Sequence, residues 1–184
     1  MNKFTNLDTH NSLFLIIDLQ SNLAPAIKDY NSILKCTLQL CSASVIHDIP
    51  TVVTQQYKQG LGETDSQIQK CLPNADYFEK MHFSACQETG FVEQLNVYKR
   101  PQIIVVGTES HVCVLQTCLD LLLQGFNVII ASDAIGSRNS DHKKIAIEQL
   151  RQAGAIIAST ETIIFQWTKK AGTSTFKEIL KIIK

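Results

Sequence analysis

The sequence predicts an α/β protein: a three-layer α/β/α arrangement around a mostly parallel, doubly wound sheet of about six strands. Three observations predict it. Short aliphatic runs alternate with longer amphipathic ones along the whole chain, which is the pattern of successive strand–helix crossovers. The run Ile103-Ile104-Val105-Val106 is apolar at every position, as expected of a strand covered on both faces in a parallel sheet. Glycines and prolines fall between these runs.

The elements follow in order. Leu13 to Ile17 reads as the first strand, closed by Asp18. Ala24 to His47 reads as a helix, with Ile27, Ile33, Leu34, Leu38, Cys41 and Val45 near a 3.6-residue period. Pro50 opens a second strand at Thr51 to Thr54, rich in β-branched residues. Gln55 to Asn74 is polar, carries Gly60, Gly62 and Pro73, and reads as a long loop of the kind that is usually functional. Tyr77 to Met81 is a short third strand, and Gly90 to Leu95 part of a helix. The fourth strand is Ile103 to Val106, ended by Gly107; Val112 to Gln124 is a helix stopped by Gly125. Asn127 to Ala131 is the fifth strand, Asp141 to Gln152 a helix before Gly154, and Ala155 to Ala158 the sixth strand. Thr160 to Trp167 and Thr175 to Ile183 close the chain as helices.

The chain has 184 residues, which fits one domain spanning 1–184 with a real core, and its 45% hydrophobic content is that of a globular protein. Seventeen basic residues balance seventeen acidic ones, and no basic block is present to collect phosphates, so nucleic acid is not the expected partner. Leu13 to Ile17 is too short for a signal peptide or membrane span, and the stretch from Met1 to Asn11 carries no such pattern. Six cysteines without a secretion signal read as free thiols in the cytoplasm. They form no CxxC pair, and none of the five histidines lies at zinc spacing from them, so neither metal nor other cofactor is expected.

In a doubly wound sheet, ligands bind beyond the carboxyl ends of the strands, where strand order reverses. That directs attention to Asp18 and Gln20, Gln55 to Tyr57, Lys80, Gly107 to Cys113, and Ser132-Asp133. Cys113 sits where a helix begins, and unpaired N–H groups there favour a nucleophilic thiolate; the alternative is a small buried hydrophobe. Asp18, directly after an aliphatic strand, needs a partner or a task, since an unpaired buried carboxylate costs about 3 kcal/mol or more. It is either a cap for backbone N–H groups or a proton acceptor for Cys113. Lys80 lies among Tyr77, Phe78, Met81 and Phe83. It is either a snorkelling surface lysine or a cation that holds two anions and lowers the thiol pKa.

Taken together, Leu15-Ile16-Ile17-Asp18-Leu19-Gln20, then Lys80, then Gly107-Thr108-Glu109-Ser110-His111-Val112-Cys113-Val114-Leu115-Gln116-Thr117 resembles the isochorismatase-like superfamily of cysteine hydrolases. Asp133-Ala134-Ile135-Gly136-Ser137-Arg138 fits as well. Gln55-Gln56-Tyr57-Lys58-Gln59-Gly60-Leu61-Gly62 is most similar to the isochorismatase-domain-containing subgroup. The resemblance implies a catalytic triad of Asp18, Lys80 and Cys113. It also implies an oxyanion hole from the backbone N–H groups of Glu109 and Cys113, with a cis peptide at Thr108–Glu109, and assembly as a homo-oligomer, dimeric or larger. Nicotinamidases of the superfamily carry an Asp and two His as metal ligands after the second strand; here Gln55, Gln56, Tyr57 and Lys58 occupy that loop. Isochorismatases proper cleave a vinyl ether without a cysteine nucleophile, so Cys113 points to other substrates, carbamoyl-type amides among them.

The leading expectation is therefore hydrolysis of a small amide or related acyl compound through a Cys113 thioester. Gln20, Gln55, Tyr57, Phe83 and His111 are the expected walls for a small-molecule substrate. The alternatives are a catalytically silent binding or scaffold protein of the same fold, and a redox thiol at Cys113, for which Cys118 on the same helix is poorly placed as a disulfide partner.

Overall fold

The computed structural model describes residues 6–184; the first five residues of the N-terminal stretch lie outside it. Six strands form one sheet: β1 (Ser12–Ile17), β2 (Thr51–Gln56), β3 (Asp76–Lys80), β4 (Gln102–Thr108), β5 (Asn127–Gly136) and β6 (Ile156–Ala158). Their order is β3-β2-β1-β4-β5-β6 and every pairing is parallel. The order reverses between β1 and β4, so the crevice for a ligand opens there, beyond Ile17 and Thr108.

The helices are α1 (Tyr30–Ile46), α2 (Lys58–Leu61), α3 (Ser66–Cys71), α4 (Phe91–Val97), α5 (Leu115–Leu123), α6 (Ser140–Gln152), α7 (Thr160–Thr168) and α8 (Ser174–Ile183). Strand alternation divides the core in two. Phe14, Ile16, Val53, Ile104 and Val106 pack under α1, α3, α7 and α8, through Leu40, Ile68, Trp167 and Ile179. Leu13, Leu15, Ile17, Val52, Ile103 and Val105 pack under α4, α5 and α6, through Phe91, Leu95, Leu121 and Leu150. This is the expected three-layer architecture, and all six residues of β1 are buried.

Five local expectations are corrected. The helix expected from Ala24 begins at Tyr30. A 3₁₀ turn, Ala24–Ala26, precedes it, Pro25 removes a backbone donor, and Asp29 at φ 59° breaks the helical path. The segment expected as a loop from Gln55 contains the end of β2 and helices α2 and α3. There Asp65 caps α3 by accepting from the Gln67 N–H, and Ile68 anchors it in the core.

β4 runs past Gly107 to Thr108, through a register shift against β5. β5 likewise runs past Ala131, because Ala134 and Ile135 are buried and Ile135 and Gly136 pair with Gly107 and Thr108. Ser132 and Asp133 thus lie within a strand, and the Asp133 carboxylate caps α7, accepting from the N–H (2.8 Å) and hydroxyl (2.9 Å) of Thr160. Finally, a π-helical turn, Ser110–Val114, leads into α5, placing Cys113 before the regular helix.

Candidate functional site

Asp18, Lys80 and Cys113 meet at the carboxyl end of the sheet although three different strands deliver them. β1 ends at Ile17, and Asp18 turns away at φ 51°. Its Oδ1 accepts from the Thr54 hydroxyl at 2.7 Å, while the Thr108 hydroxyl donates to its backbone oxygen at 2.6 Å. Oδ2 stands 2.7 Å from the Lys80 ammonium as an ion pair, with side-chain exposures of 0% and 1%. No hydrogen bond is aligned on that oxygen. A buried carboxylate with one oxygen tied down and the other facing a cation keeps lone-pair capacity for one more proton.

Lys80 is the last residue of β3 and is fixed rather than snorkelling. Its ammonium donates to Gln56 Oε1 at 2.6 Å and to the carbonyls of Phe83 (3.1 Å) and His82 (3.4 Å). Period-two alternation explains the partnership: Val52, Thr54 and Gln56 share one face of β2, and Thr54 and Gln56 are the two side chains that reach the pair. Gln56 was not singled out in the sequence, although strand alternation from the buried Val52 would have found it.

Cys113 is buried, and its thiol interacts with both Asp18 and Lys80. Burial first, and then the Asp18 charge, push its thiol up to about 12, against a smaller opposing pull from Lys80. The lowered thiol pKa expected from a helix start and a neighbouring cation is thus reversed: desolvation outweighs both, and the resting group is a thiol. The Glu109 carbonyl accepts from the amides on either side of Cys113, those of Val112 (3.1 Å) and Val114 (3.2 Å). The Thr108–Glu109 peptide is cis. The Glu109 carboxylate holds the next loop, accepting from the Arg138 N–H at 2.9 Å, with the Arg138 guanidinium 3.3 Å from its other oxygen.

Gly107 sets how closely β4 approaches β1. It has φ 138°, and a Cβ there would drive into the carbonyl of Ile17, the residue before Asp18.

The five expected wall residues separate into two groups. The Gln20 side chain is fully buried and spent on backbone: it donates to the carbonyls of Gln56 (3.1 Å) and Gly62 (2.7 Å) and accepts from the Gln56 N–H (2.9 Å). Gln55 points to the opposite face of β2 from Gln56 and donates to Glu63 and Thr64. Tyr57 and Phe83 are exposed beside Lys80; Tyr57 donates its N–H to the Lys80 carbonyl at 2.9 Å. His111 is half-buried, 3.0 Å from the Ser137 hydroxyl and packed against the His142 ring. Burial holds its imidazole below the usual range.

At the end of β2 and just beyond it the chain places Gln55, Gln56, Tyr57 and Lys58, with the nearest carboxylates at Glu63 and Asp65, engaged with Gln55 and with the start of α3. Among the described residues no group of three His, Cys, Asp or Glu side chains is placed to hold an ion. No described helix is long and apolar enough to cross a membrane.

Comparison with known proteins fits this geometry. Residues 12–162, from the first residue of β1 into α7, match the family model of the isochorismatase domain. The chain belongs to the isochorismatase family. Within this family it is 39% identical to a secreted isochorismatase effector of Phytophthora sojae, over 95% of the chain and 85% of that protein. It is 34% identical to isochorismatase domain-containing protein 1 of zebrafish (Danio rerio), over 97% of the chain but 63% of that longer protein. Among solved structures, one described as MAR1 ribonuclease from Caenorhabditis elegans superposes with a TM-score of 0.91 at 37% identity, covering 97% of this chain and 92% of the other. These relatives support both the isochorismatase-like superfamily and the domain-containing subgroup, and the chain carries the hydrolase fold of that family.

Proposed function

We propose that this isochorismatase-family protein is a cysteine hydrolase acting on a small amide or related acyl compound through a thioester at Cys113. The observation that carries this reading is the buried Asp18 Oδ2, which faces Lys80 without an aligned hydrogen bond and lies within reach of a thiol that does not ionise unaided. Asp18 takes the proton of Cys113 as sulfur attacks the carbonyl carbon. The oxyanion rests on the backbone N–H groups of Glu109 and Cys113. The C–N bond then breaks, and Asp18 gives its proton to the departing amine. Water attacks the thioester, loses a proton to Asp18, and expels the sulfur, which recovers that proton. Lys80 remains an ammonium throughout, offsetting the negative charge shared by Asp18 and the thiolate. Tyr57, Phe83 and His111 are the wall residues with side-chain surface still available to a ligand.

The ribonuclease description of the nematode relative suggests phosphodiester chemistry as another possibility. The geometry favours acyl transfer: the cation of the centre is sealed from solvent with its donors engaged, whereas a phosphodiester requires cations that it can touch. The test is incubation with a panel of small amides and activated acyl esters, reading amine release and the mass of the intact protein. A hydroxylamine-sensitive acyl group on the Cys113 peptide, absent from Asp18→Ala, supports the proposal. Acylation spread over several cysteines regardless of Asp18 overturns it, and binding without turnover points to the silent scaffold.

A further inference from the structure

A second thiol cluster lies away from this site. Cys41, in the middle of α1, is completely buried, while Cys71, the last residue of α3, is half-buried at the edge of the same apolar layer. The two thiols hydrogen-bond to each other, and Ser42 Oγ lies 3.6 Å from the Cys71 sulfur. Cys71 also lines an open cavity of about 820 Å³ together with Pro50, Thr51, Lys70, Tyr98 and Arg100. Pro50 and Thr51 mark the start of β2, so this cavity opens at the opposite end of the sheet from Cys113. Small solutes can therefore reach Cys71 without entering the site proposed above.

We propose that Cys71 and Cys41 form a peroxide-reactive pair that closes to a disulfide between α3 and α1.

The arrangement supplies each requirement of that chemistry. Cys41 has no water to stabilise a charge, and burial pushes its thiol well up. It keeps its proton and donates it toward Cys71. That hydrogen bond, helped by Ser42, holds the Cys71 thiol down, to about 6. Lys70, Arg100 and Asp48 also line this cavity. In the first step the Cys71 thiolate attacks hydrogen peroxide: an S–O bond forms, the O–O bond breaks, sulfur loses two electrons, and hydroxide departs. In the second step the Cys41 sulfur attacks the sulfenic sulfur: the S–S bond forms, the S–O bond breaks, and the leaving hydroxyl takes the Cys41 proton as water. Cys41 and Cys71 belong to one apolar layer, and Ser42, the neighbour of Cys41 in α1, lies 3.6 Å from the Cys71 sulfur, so α1 and α3 already hold the two thiols in one cluster.

The test treats the reduced full-length chain with one equivalent of hydrogen peroxide, blocks the remaining thiols, and maps peptides without reductant. The expected result is loss of two of the six thiols and recovery of the Cys41 and Cys71 peptides as one cross-linked species. Cys71 is consumed about tenfold or more faster than any other cysteine. In Cys41→Ser the reaction stops at a Cys71 sulfenic acid that dimedone traps, and in Cys71→Ser the Cys41 peptide stays reduced. Oxidation of Cys113 ahead of Cys71, or a Cys71 sulfinic acid with Cys41 still free in the native chain, overturns the proposal. If Cys41→Ser fails to fold, the native peptide map decides alone.

Discussion

The ammonium of Lys80 lies 2.7 Å from Asp18 Oδ2 with both side chains closed off from water. Two charges in such a place depend on each other, because removing one leaves the other buried and uncompensated. Lys80→Met is expected to destabilise the fold by roughly 3–5 kcal/mol, and the double variant Asp18→Asn/Lys80→Met by clearly less. Urea unfolding of the native chain, both single variants and the double variant measures this coupling. A loss in the double variant equal to the sum of the two single losses would mean that the pair contributes no coupling energy.

Cys113 reactivity is expected to depend on Asp18 in two opposite ways. At neutral pH the native thiol, pushed up to about 12, is attacked by electrophiles only when Asp18 accepts its proton. Asp18→Ala should slow labelling of the Cys113 peptide about tenfold or more at pH 7. The same substitution removes a negative charge beside the sulfur, so direct thiolate labelling at high pH should begin at lower pH than in the native chain. A pH series of iodoacetamide labelling rates checks both, and unchanged labelling at pH 7 would remove Asp18 from the role of base.

The strand–helix order and the placement of Asp18, Lys80 and Cys113 at strand ends were legible because aliphatic runs and their polar terminators are local signals. Three features were not. The state of Cys113 depends on burial, a tertiary quantity that no helix-start argument contains, and burial outweighed the cation. The continuation of β5 through Ser132 and Asp133 depends on pairing with Gly107 and Thr108, so a polar dipeptide that reads as a strand end is carried inside the sheet. Gln55 and Gln56 are chemically identical, and only the face of β2 tells them apart.

That distinction is itself testable. Gln56 accepts a 2.6 Å hydrogen bond from Lys80 and donates one of 2.8 Å to the Met81 carbonyl, whereas Gln55 bonds to Glu63 and Thr64. Gln56→Leu is expected to cost about 1.5–3 kcal/mol, as loss of a hydrogen bond to a charged group does, and to slow Cys113 labelling at pH 7. Gln55→Leu should leave that labelling rate close to native. If the two variants slow labelling equally, Gln56 has no special hold on the ammonium.

Alkaline pH is expected to weaken the fold through its thiols. Five of the six cysteines (Cys36, Cys41, Cys86, Cys113 and Cys118) have thiols raised above the ordinary value of 9.0, in each case first by burial. A raised folded value means that the unfolded chain sheds protons that the folded chain retains. Their contribution is therefore fully present below about pH 9 and is lost as pH rises toward about 12, where Cys86 and Cys113 titrate in the fold. Urea midpoints taken from pH 8 to pH 11 should fall, and Cys113→Ala should fall less steeply than the native chain. A midpoint that stays flat across that range would contradict the assignment.

Two glycines with positive φ should respond very differently to alanine. Gly125 has φ 88° and open space where a Cβ would go. Gly125→Ala meets only the backbone cost of a left-handed L residue, about 1–2 kcal/mol. Gly107 has φ 138°, and the same methyl group would press into the Ile17 carbonyl, a backbone atom held within the sheet by β1–β4 pairing. Relief requires separating two central strands directly beneath Asp18. Gly107→Ala is therefore expected to cost more than about 4 kcal/mol, in the range reserved for major disruption, or to prevent accumulation of soluble protein. Denaturant unfolding of the two variants side by side gives the comparison. Similar losses for both would mean that β4 can shift away from Ile17 at little cost, and that the close approach at Gly107 does not fix the spacing between the Asp18 and Cys113 strands.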